Sequence, residues 1–203
     1  WYYGKFKLSF IFFILSIFIV TTGLWQKAMI TLYLCGSSVI IASVIGIPLG
    51  IWAGLNNKAN KLLTAFIDTL QTLPSFVYLI PVVMLFRVGD FTAMIAVILY
   101  ALAPAVRYTA HGIRNINNQI IEAALISGCS PRQLLFKIKL PLALPEILLG
   151  INQTIMLALS MLVITALVGT RDLGQEVYIG LTKADIGRGL VAGLCVAFIS
   201  IIA

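Results

Sequence analysis

The chain has 203 residues, of which 61% are hydrophobic and only 10% are charged, and its mean hydropathy is +1.05. A soluble domain is about half apolar and about a quarter charged, so this composition excludes an ordinary soluble domain and indicates a membrane protein. The formal net charge of +7 is explained better by basic segments facing the cytoplasm than by nucleic-acid binding, because the basic residues do not cluster with aromatic ones.

Continuous apolar stretches divide the chain, and each is close to the roughly 20 residues that one membrane span needs. Because lipid cannot satisfy open backbone groups, the stretches predict an all-α membrane protein, a multi-span helical bundle with about six spans. We predict a single transmembrane domain over residues 1–203, and we expect a piece of a longer protein because the chain begins at Trp1 and ends in an apolar run. The stretches are residues 8–24, 28–54, 62–86, 92–110, 147–169 and 187–203.

The distribution of lysine and arginine predicts the orientation. With the N-terminus of the chain inside, nine basic residues lie inside and five outside. The N-terminus and the long connection at residues 111–146 are therefore predicted to be cytoplasmic. The inside set is Lys5, Lys7, Lys58, Lys61, Arg107, Arg114, Arg132, Lys137 and Lys139, and the outside set is Lys27, Arg87, Arg171, Lys183 and Arg188.

Small residues recur at every fourth position of the second apolar stretch, in the series Ser38, Ala42, Gly46, Gly50 and Gly54. This spacing predicts a groove in which another helix packs closely. Pro48 lies in the same stretch and is a candidate for a kink or hinge.

Polar side chains share one predicted helical face of the third apolar stretch, from Thr64 through Asp68 to Ser75. An acidic residue within a span normally faces the bundle interior or a water-filled cavity. Asp68 is therefore either part of a translocation pathway or one partner of a structural contact with another helix. Aromatic residues are candidates for the pathway or for plain packing. The candidate pathway residues are Asp68, Gln71, Phe76, Tyr78, Tyr100 and Asn152.

The connection at residues 111–146 is predicted to form two short helices joined by a sharp turn. Asn118 is suited to cap the first helix, with Glu122 in its first turn, and Gly128 is suited to end it. The sequence SPRQ at residues 130–133 has the serine, proline and glutamine that begin a second helix.

Two prolines, Pro141 and Pro145, are expected to break the chain before the next span. So long and well capped a connection suggests a docking function, although packing on its own bundle is the plainer alternative.

The same connection resembles the EAA motif of ABC importer permeases, through Glu122, Ala123, Ala124 and Gly128, followed by Ile138, Leu140 and Pro141. The resemblance implies the type I importer permease fold (MetI-like) and a loop that docks on an ATPase. It also implies two ATPase subunits that hold ATP and Mg, a substrate-binding protein or domain, and a second permease subunit, most simply in a homodimer. The implied docking residues are Glu122, Ala123, Ala124, Gly128, Pro131 and Leu135.

The sequence QTLPSFVYLIP at residues 71–81 resembles the glycine betaine/proline permeases of the ProU type, as does LGQ at residues 173–175. This resemblance implies a bacterial inner-membrane permease embedded in lipid, for glycine betaine or for choline, proline betaine, carnitine or trimethylamine N-oxide. The segment GTRDLGQ at residues 169–175 departs from the family, which usually has a GGLGQ-like stretch. An amino-acid permease, for methionine for example, stays an alternative.

The sequence shows no motif for catalysis, nucleotide binding or metal binding. It contains no GxxxxGK[ST] phosphate-binding loop, so ATP hydrolysis is expected from a separate subunit. His111 is the one histidine, and it has no partners suited to catalysis, while Cys35, Cys129 and Cys195 follow no metal-binding spacing. We therefore expect a transport subunit with no cofactor or metal of its own. A membrane-embedded enzyme and an ion channel are the remaining alternatives.

Overall fold

The structure, a computed structural model, describes residue 13 and residues 16–202, except for the side chains of Tyr78 and Ile202. All regular secondary structure in this part of the chain is helical, which confirms the all-α prediction. Residues 16–21 are helical, and most of the predicted stretch 8–24 lies outside the described residues. The helices that follow are α1 (Trp25–Leu55), α2 (Asn57–Thr72), α3 (Ser75–Phe86), α4 (Asp90–Arg114), α5 (Asn118–Ile126), α6 (Pro131–Val168), α7 (Leu173–Thr182) and α8 (Ile186–Ile202).

Three helices of the described residues, α1, α4 and α6, are long and apolar enough to cross a membrane, with 31, 25 and 38 residues. The pair α2 and α3 adds a fourth span if it is counted as one broken span, and α8 is a shorter apolar helix. Five of the predicted stretches therefore coincide with helices, while the number six stays a prediction.

The break between α2 and α3 follows from the dipeptide Leu73-Pro74. Proline disfavours helical backbone in the residue before it, and Leu73 is extended, with φ −69° and ψ 134°. The prediction that Ser75 shares a helical face with Asp68 is wrong, because α2 ends at Thr72 and Ser75 begins the next helix. At its other end α2 is capped by Asn56, whose side chain accepts hydrogen bonds from two backbone N–H groups.

Helix α6 is continuous where the sequence predicted a break. Pro141 and Pro145 both lie inside it, so the expectation that they end the helix is wrong. The physical reason lies one turn earlier, where Leu134–Lys139 is a π-helix and the Leu140 N–H bonds to the carbonyl of Leu135. A π turn widens the helix locally, which eases the clash between the Pro141 ring and the preceding turn. The predicted second short helix is thus the first part of a long one.

The chain divides into two compact units, and the prediction of a single domain stays a prediction. The first unit takes in the described residues up to Ser38, together with Ser75–Val97 and the described residues from Ile155 onward. The second unit comprises Val39–Pro74 and Ile98–Thr154. Several long helices contribute a part to each unit.

In the second unit, the glycine series of α1 packs directly on α4, as predicted. A Cβ atom added to Gly50 would lie 2.6 Å from the Cβ of Thr109. Gly46 and Gly54 meet Ala105 and Ile113 in the same way, at 2.7 and 2.8 Å. Contacts this short leave no room for a side chain, so two rows of residues at four-residue spacing set the distance between the helices.

In the first unit, α7 and α8 cross at two glycines. A Cβ atom added to Gly180 would lie 2.6 Å from the backbone of Gly189, so the two backbones nearly touch. The turn between the helices includes Ala184 at φ +53°, a left-handed conformation that is uncommon for a residue with a side chain. Phe18 and Phe198 pack edge to face, with ring centroids 5.2 Å apart.

Candidate functional site

The end of α5 forms a sharp turn around Gly128. Gly128 has φ +77°, which a glycine adopts without steric cost, and its N–H donates to the carbonyl of Leu125 at 3.0 Å. The next N–H, of Cys129, donates to Ala124 at 3.1 Å. These bonds satisfy carbonyls that the end of the helix would leave open, so the prediction that Gly128 ends the helix is confirmed.

The start of α5 differs by one residue from the prediction. Asn117, and not Asn118, is the cap, and its side chain accepts from the N–H of Gln119. Glu122 is consequently the fifth residue of α5 and lies beyond the first turn, so the predicted interaction with the helix dipole does not apply.

The start of α6 is the capping box that the sequence predicted. The Ser130 N–H donates to the Gln133 side chain at 2.9 Å, and the Gln133 N–H donates to the Ser130 hydroxyl at 3.4 Å. Pro131 occupies the first position of the helix, where no backbone donor is needed. Two capped helix ends therefore meet in residues 117–135, which we call the α5–α6 turn.

The predicted docking residues differ in exposure. Glu122, Ala123, Gly128 and Pro131 are exposed, Leu135 is half-buried and Ala124 is buried, with 7% of its surface accessible. One side of α5 thus rests on the protein and the other is open. Exposed apolar side chains also occur here, since Ile126 at the end of α5 is 88% exposed and Phe136 in the first part of α6 is 66% exposed.

Among the candidate pathway residues, Asp68 has an ion partner. Its carboxylate lies 2.5 Å from the guanidinium of Arg107 on α4, and both side chains are 53% exposed. The contact links α2 to α4, as the structural alternative expected. Because the pair is open to its surroundings, it leaves the carboxylate reachable.

The other candidate pathway residues do not form one group in the described structure. The Gln71 side chain donates to the carbonyl of Tyr100 at 3.2 Å, which brings these two together in the second unit. Asn152 is exposed elsewhere in that unit, and Phe76 belongs to the first unit. The side chain of Tyr78 lies outside the described residues.

A buried ionic cluster in the first unit was not predicted. Glu176 of α7 is 4% exposed at its side chain and contacts Lys27 of α1 and Arg188 of α8, the latter at 2.5 Å. We call these three residues the Glu176 cluster. Lys27 falls between the predicted stretches 8–24 and 28–54, whereas the structure places it in the first turn of α1. The sequence did contain one indication, a single glutamate in an apolar segment. A glutamate buried there is normally paired with another group.

Next to this cluster, Asp172 caps α7 while fully buried. One carboxylate oxygen accepts from the Gln175 N–H at 3.1 Å and from the Thr170 hydroxyl at 3.0 Å, and the other has no partner among the described residues. Burial raises the pKa of the Asp172 carboxyl above its ordinary value of 3.8, and the hydrogen bond from Gln175 opposes that effect. Asp172 was noticed in the sequence only as a departure from a family pattern.

No group of three or more His, Cys, Asp or Glu side chains suited to a metal ion occurs in the described residues. The geometry on hand is that of contact surfaces and buried ion pairs.

Comparison with known proteins decides the family. Residues 46–203 match the family described as "Binding-protein-dependent transport system inner membrane component". The chain belongs to this family, and it is an integral membrane protein. The resemblance seen in the sequence is thereby confirmed.

Named relatives in this family are transport permease proteins. The chain is 44% identical over 180 residues to the Glycine betaine/proline betaine transport system permease protein ProW of Escherichia coli, covering 89% of this chain and 51% of ProW. It is 46% identical over 189 residues to the Trimethylamine N-oxide transport system permease protein TmoV of Pelagibacter ubique, covering 93% of this chain and 26% of TmoV. The chain thus spans about half the length of ProW and about a quarter of TmoV.

Solved structures show the fold. The inward-facing MetNI methionine ABC transporter matches with a TM-score of 0.74 and 22% identity over 88% of each chain. This confirms the predicted MetI-like permease fold. At that identity the match concerns the fold alone.

Proposed function

We propose that the chain is the membrane-spanning permease subunit of an ATP-driven importer for glycine betaine or a related methylated amine. The observation that carries this proposal is 44–46% identity, over about nine-tenths of the chain, to permeases named for glycine betaine, proline betaine and trimethylamine N-oxide. The protein would lie in the bacterial cytoplasmic membrane as a transporter and not an enzyme, with its N-terminus and the α5–α6 turn facing the cytoplasm. This orientation is proposed because it puts more of the lysine and arginine residues on the cytoplasmic side of the membrane.

The α5–α6 turn would dock on a separate ATPase subunit, which binds ATP and Mg. Glu122, Ala123 and Gly128 are exposed, and Ile126 adds an apolar contact. Both helix ends are capped, so a push on the turn would move α5 and the start of α6 as one rigid piece. The complete importer would contain two ATPases, a binding protein or domain, and a second copy of the permease.

Transport would follow from a shift between two conformations. ATP binds one conformation of the ATPase pair more tightly, so it displaces the equilibrium of everything attached to the pair. The turn would transmit that displacement to α4 and α6. Within the spans we expect only weak contact with the osmolyte, because strong binding to either conformation would hinder release.

An amino-acid importer is the second candidate, because the MetNI methionine transporter shares the fold. The difference in identity, 22% against 44–46%, favours the osmolyte.

The substrate is tested with the co-purified binding protein and the complete complex in lipid. Calorimetry is run with glycine betaine, choline, proline betaine, carnitine, trimethylamine N-oxide and methionine, and each ligand that binds is tested for stimulation of ATP hydrolysis. We expect a methylated amine to bind and stimulate hydrolysis. Stimulation by methionine alone would overturn the osmolyte assignment and leave the permease assignment in place.

The coupling role is tested with Glu122→Lys. Reversing this charge on the exposed side of α5 should abolish uptake while ATP hydrolysis loses its response to substrate, because like charges at a docking surface repel. Glu122→Gln, which removes the charge without reversing it, is the matched control and should retain most uptake. Normal uptake by Glu122→Lys in a folded complex would remove the turn from this role.

A further inference from the structure

A polar cavity lies in the second unit beside the last two turns of α4. Its volume is about 240 Å³, and residues of α1, α2 and α4 line it. Since a water molecule takes up about 30 Å³ of liquid, the cavity has room for a larger group. Its polar lining consists of Arg107, His111, Arg114, Asn60, Thr64 and Asn115.

The charged groups of this lining are two arginines. Arg107, His111 and Arg114 follow each other at spacings of four and three residues, so they share one face of α4. No Asp or Glu is among the described residues that line the cavity, although Asp68 contacts Arg107 and the Glu146 carboxylate lies 3.9 Å from the His111 ring. Arg114 has no carboxylate partner among the described residues, so the lining keeps a surplus of positive charge, which favours an anion.

Neighbouring groups hold the two guanidinium groups in place. Arg107 contacts Asp68 from one side at 2.5 Å, and Arg114 donates to the side chain of Asn57 at 2.8 Å and to the carbonyl of Ala53 at 3.5 Å. A guanidinium has five N–H donors, so these contacts leave donors for a ligand on each arginine. Planar, fixed guanidinium groups suit the oxygens of a phosphate.

The rest of the lining is apolar, with Leu63 and Ile67 of α2 and Val106 and Ala110 of α4. No Phe, Tyr or Trp is among the lining residues, so a quaternary ammonium group would find no aromatic face there. The cavity therefore does not fit the proposed transported osmolyte. A ligand with a phosphate next to an apolar part fits both halves of the lining.

We propose that this cavity binds the phosphate of an anionic membrane phospholipid. A free phosphate ion has the same charge chemistry. The lipid is favoured because the cavity borders the end of a membrane-spanning helix and has an apolar wall, and basic pockets between such helices suit lipid headgroups. This inference depends on the spans and not on which solute is transported.

The test uses the whole permease, delipidated in mild detergent and titrated with phosphatidylglycerol or phosphatidylcholine, with bound lipid counted by native mass spectrometry. Arg107→Gln/Arg114→Gln should weaken phosphatidylglycerol binding at the tightest site roughly tenfold or more, because two charged donors are lost. Arg132→Gln/Lys137→Gln removes the same charge at exposed positions of α6 and should leave that site unchanged.

A second cavity variant is needed because loss of binding in the first could also result from misfolding. Thr64→Trp adds a large ring at an exposed lining position of the cavity and keeps both arginines, so it should weaken phosphatidylglycerol binding as well. Equal loss in the α6 control, or no loss in either cavity variant, would overturn the proposal. Inorganic phosphate is tested in parallel. If it binds with the same dependence on Arg107 and Arg114 while the lipid does not bind, the site belongs to a soluble anion and the lipid assignment fails.

Discussion

The Glu176 cluster and the α5–α6 turn use charge in opposite ways. In the first, a buried carboxylate joins cations from two other helices, and residues up to 149 positions apart in the chain meet. In the second, Glu122 is exposed, and the local fold depends on caps between residues two to five positions apart. The cluster therefore joins three helices through buried charge, whereas the charge of Glu122 in the turn stays exposed.

The largest effect should come from removing both cations of the cluster. Lys27→Met/Arg188→Met leaves the Glu176 carboxylate buried without a partner, which should cost about 3–5 kcal/mol. Adding Glu176→Leu to this double variant should restore most of the loss, because a neutral cluster of similar volume needs no pairing. Thermal unfolding of the purified protein in detergent measures both. Unchanged stability of the double variant would mean that the cluster does not hold the helices.

The glycine series of the second unit offers a smaller but still clear effect. Gly50→Ala places a Cβ atom 2.6 Å from Thr109, and overpacking of this kind should cost about 1–3 kcal/mol. Gly36→Ala in the same helix meets nothing within 4 Å and should stabilise the helix by up to about 1 kcal/mol. Opposite shifts of the unfolding temperature are expected, and equal shifts would contradict close packing at Gly50.

The α5–α6 turn should respond locally to a change at Gly128. Gly128→Ala forces a side chain into a backbone with φ +77° and should cost about 1 kcal/mol. Gly128→Asn should cost less, since asparagine tolerates this conformation better. Hydrogen exchange of the amides in α5 is the measurement, because a local strain opens this helix before the whole protein unfolds. Identical exchange in both variants would argue against the turn geometry.

The smallest effect concerns pH and Asp172. The pKa of its carboxyl is raised in the folded protein, chiefly by burial, so its contribution to stability is fully present below pH 3.8 and is lost as pH rises through the folded-state pKa. Asp172→Asn cannot titrate and should reduce the fall in unfolding temperature between pH 4 and pH 7. The difference between the two proteins is decisive, because other acids titrate equally in both. A steeper fall in unfolding temperature for Asp172→Asn than for the unsubstituted protein would contradict a raised pKa of the Asp172 carboxyl.

Local signals were sufficient where neighbours in sequence determine the structure. Ser130, Gln133 and Gly128 were predicted correctly because caps and glycine turns involve groups within a few residues. The docking role of these residues, by contrast, came from family resemblance and remains a proposal.

The sequence did not predict the ion pairs between residues that are far apart in the chain. Lys27 and Arg188 were counted as charges outside the membrane, because nothing near them in the chain indicates Glu176 as their partner. The contact of Asp68 with Arg107, 39 positions away in the chain, was likewise not evident from the sequence. The partners of all these residues depend on how the helices pack, which single-residue patterns do not contain.

The π turn at Leu134–Lys139 changes which side chains of α6 share a helical face. An α-helix advances 100° per residue, and the wider turn takes up one residue more, so side chains after Leu140 are out of phase with those at Pro131–Gln133. A helical wheel drawn through the whole of α6 therefore assigns the wrong faces to one of its ends. Family members that lack one residue between positions 134 and 139 would keep the same faces as this chain, whereas a loss anywhere later in α6 would rotate the remainder of the helix.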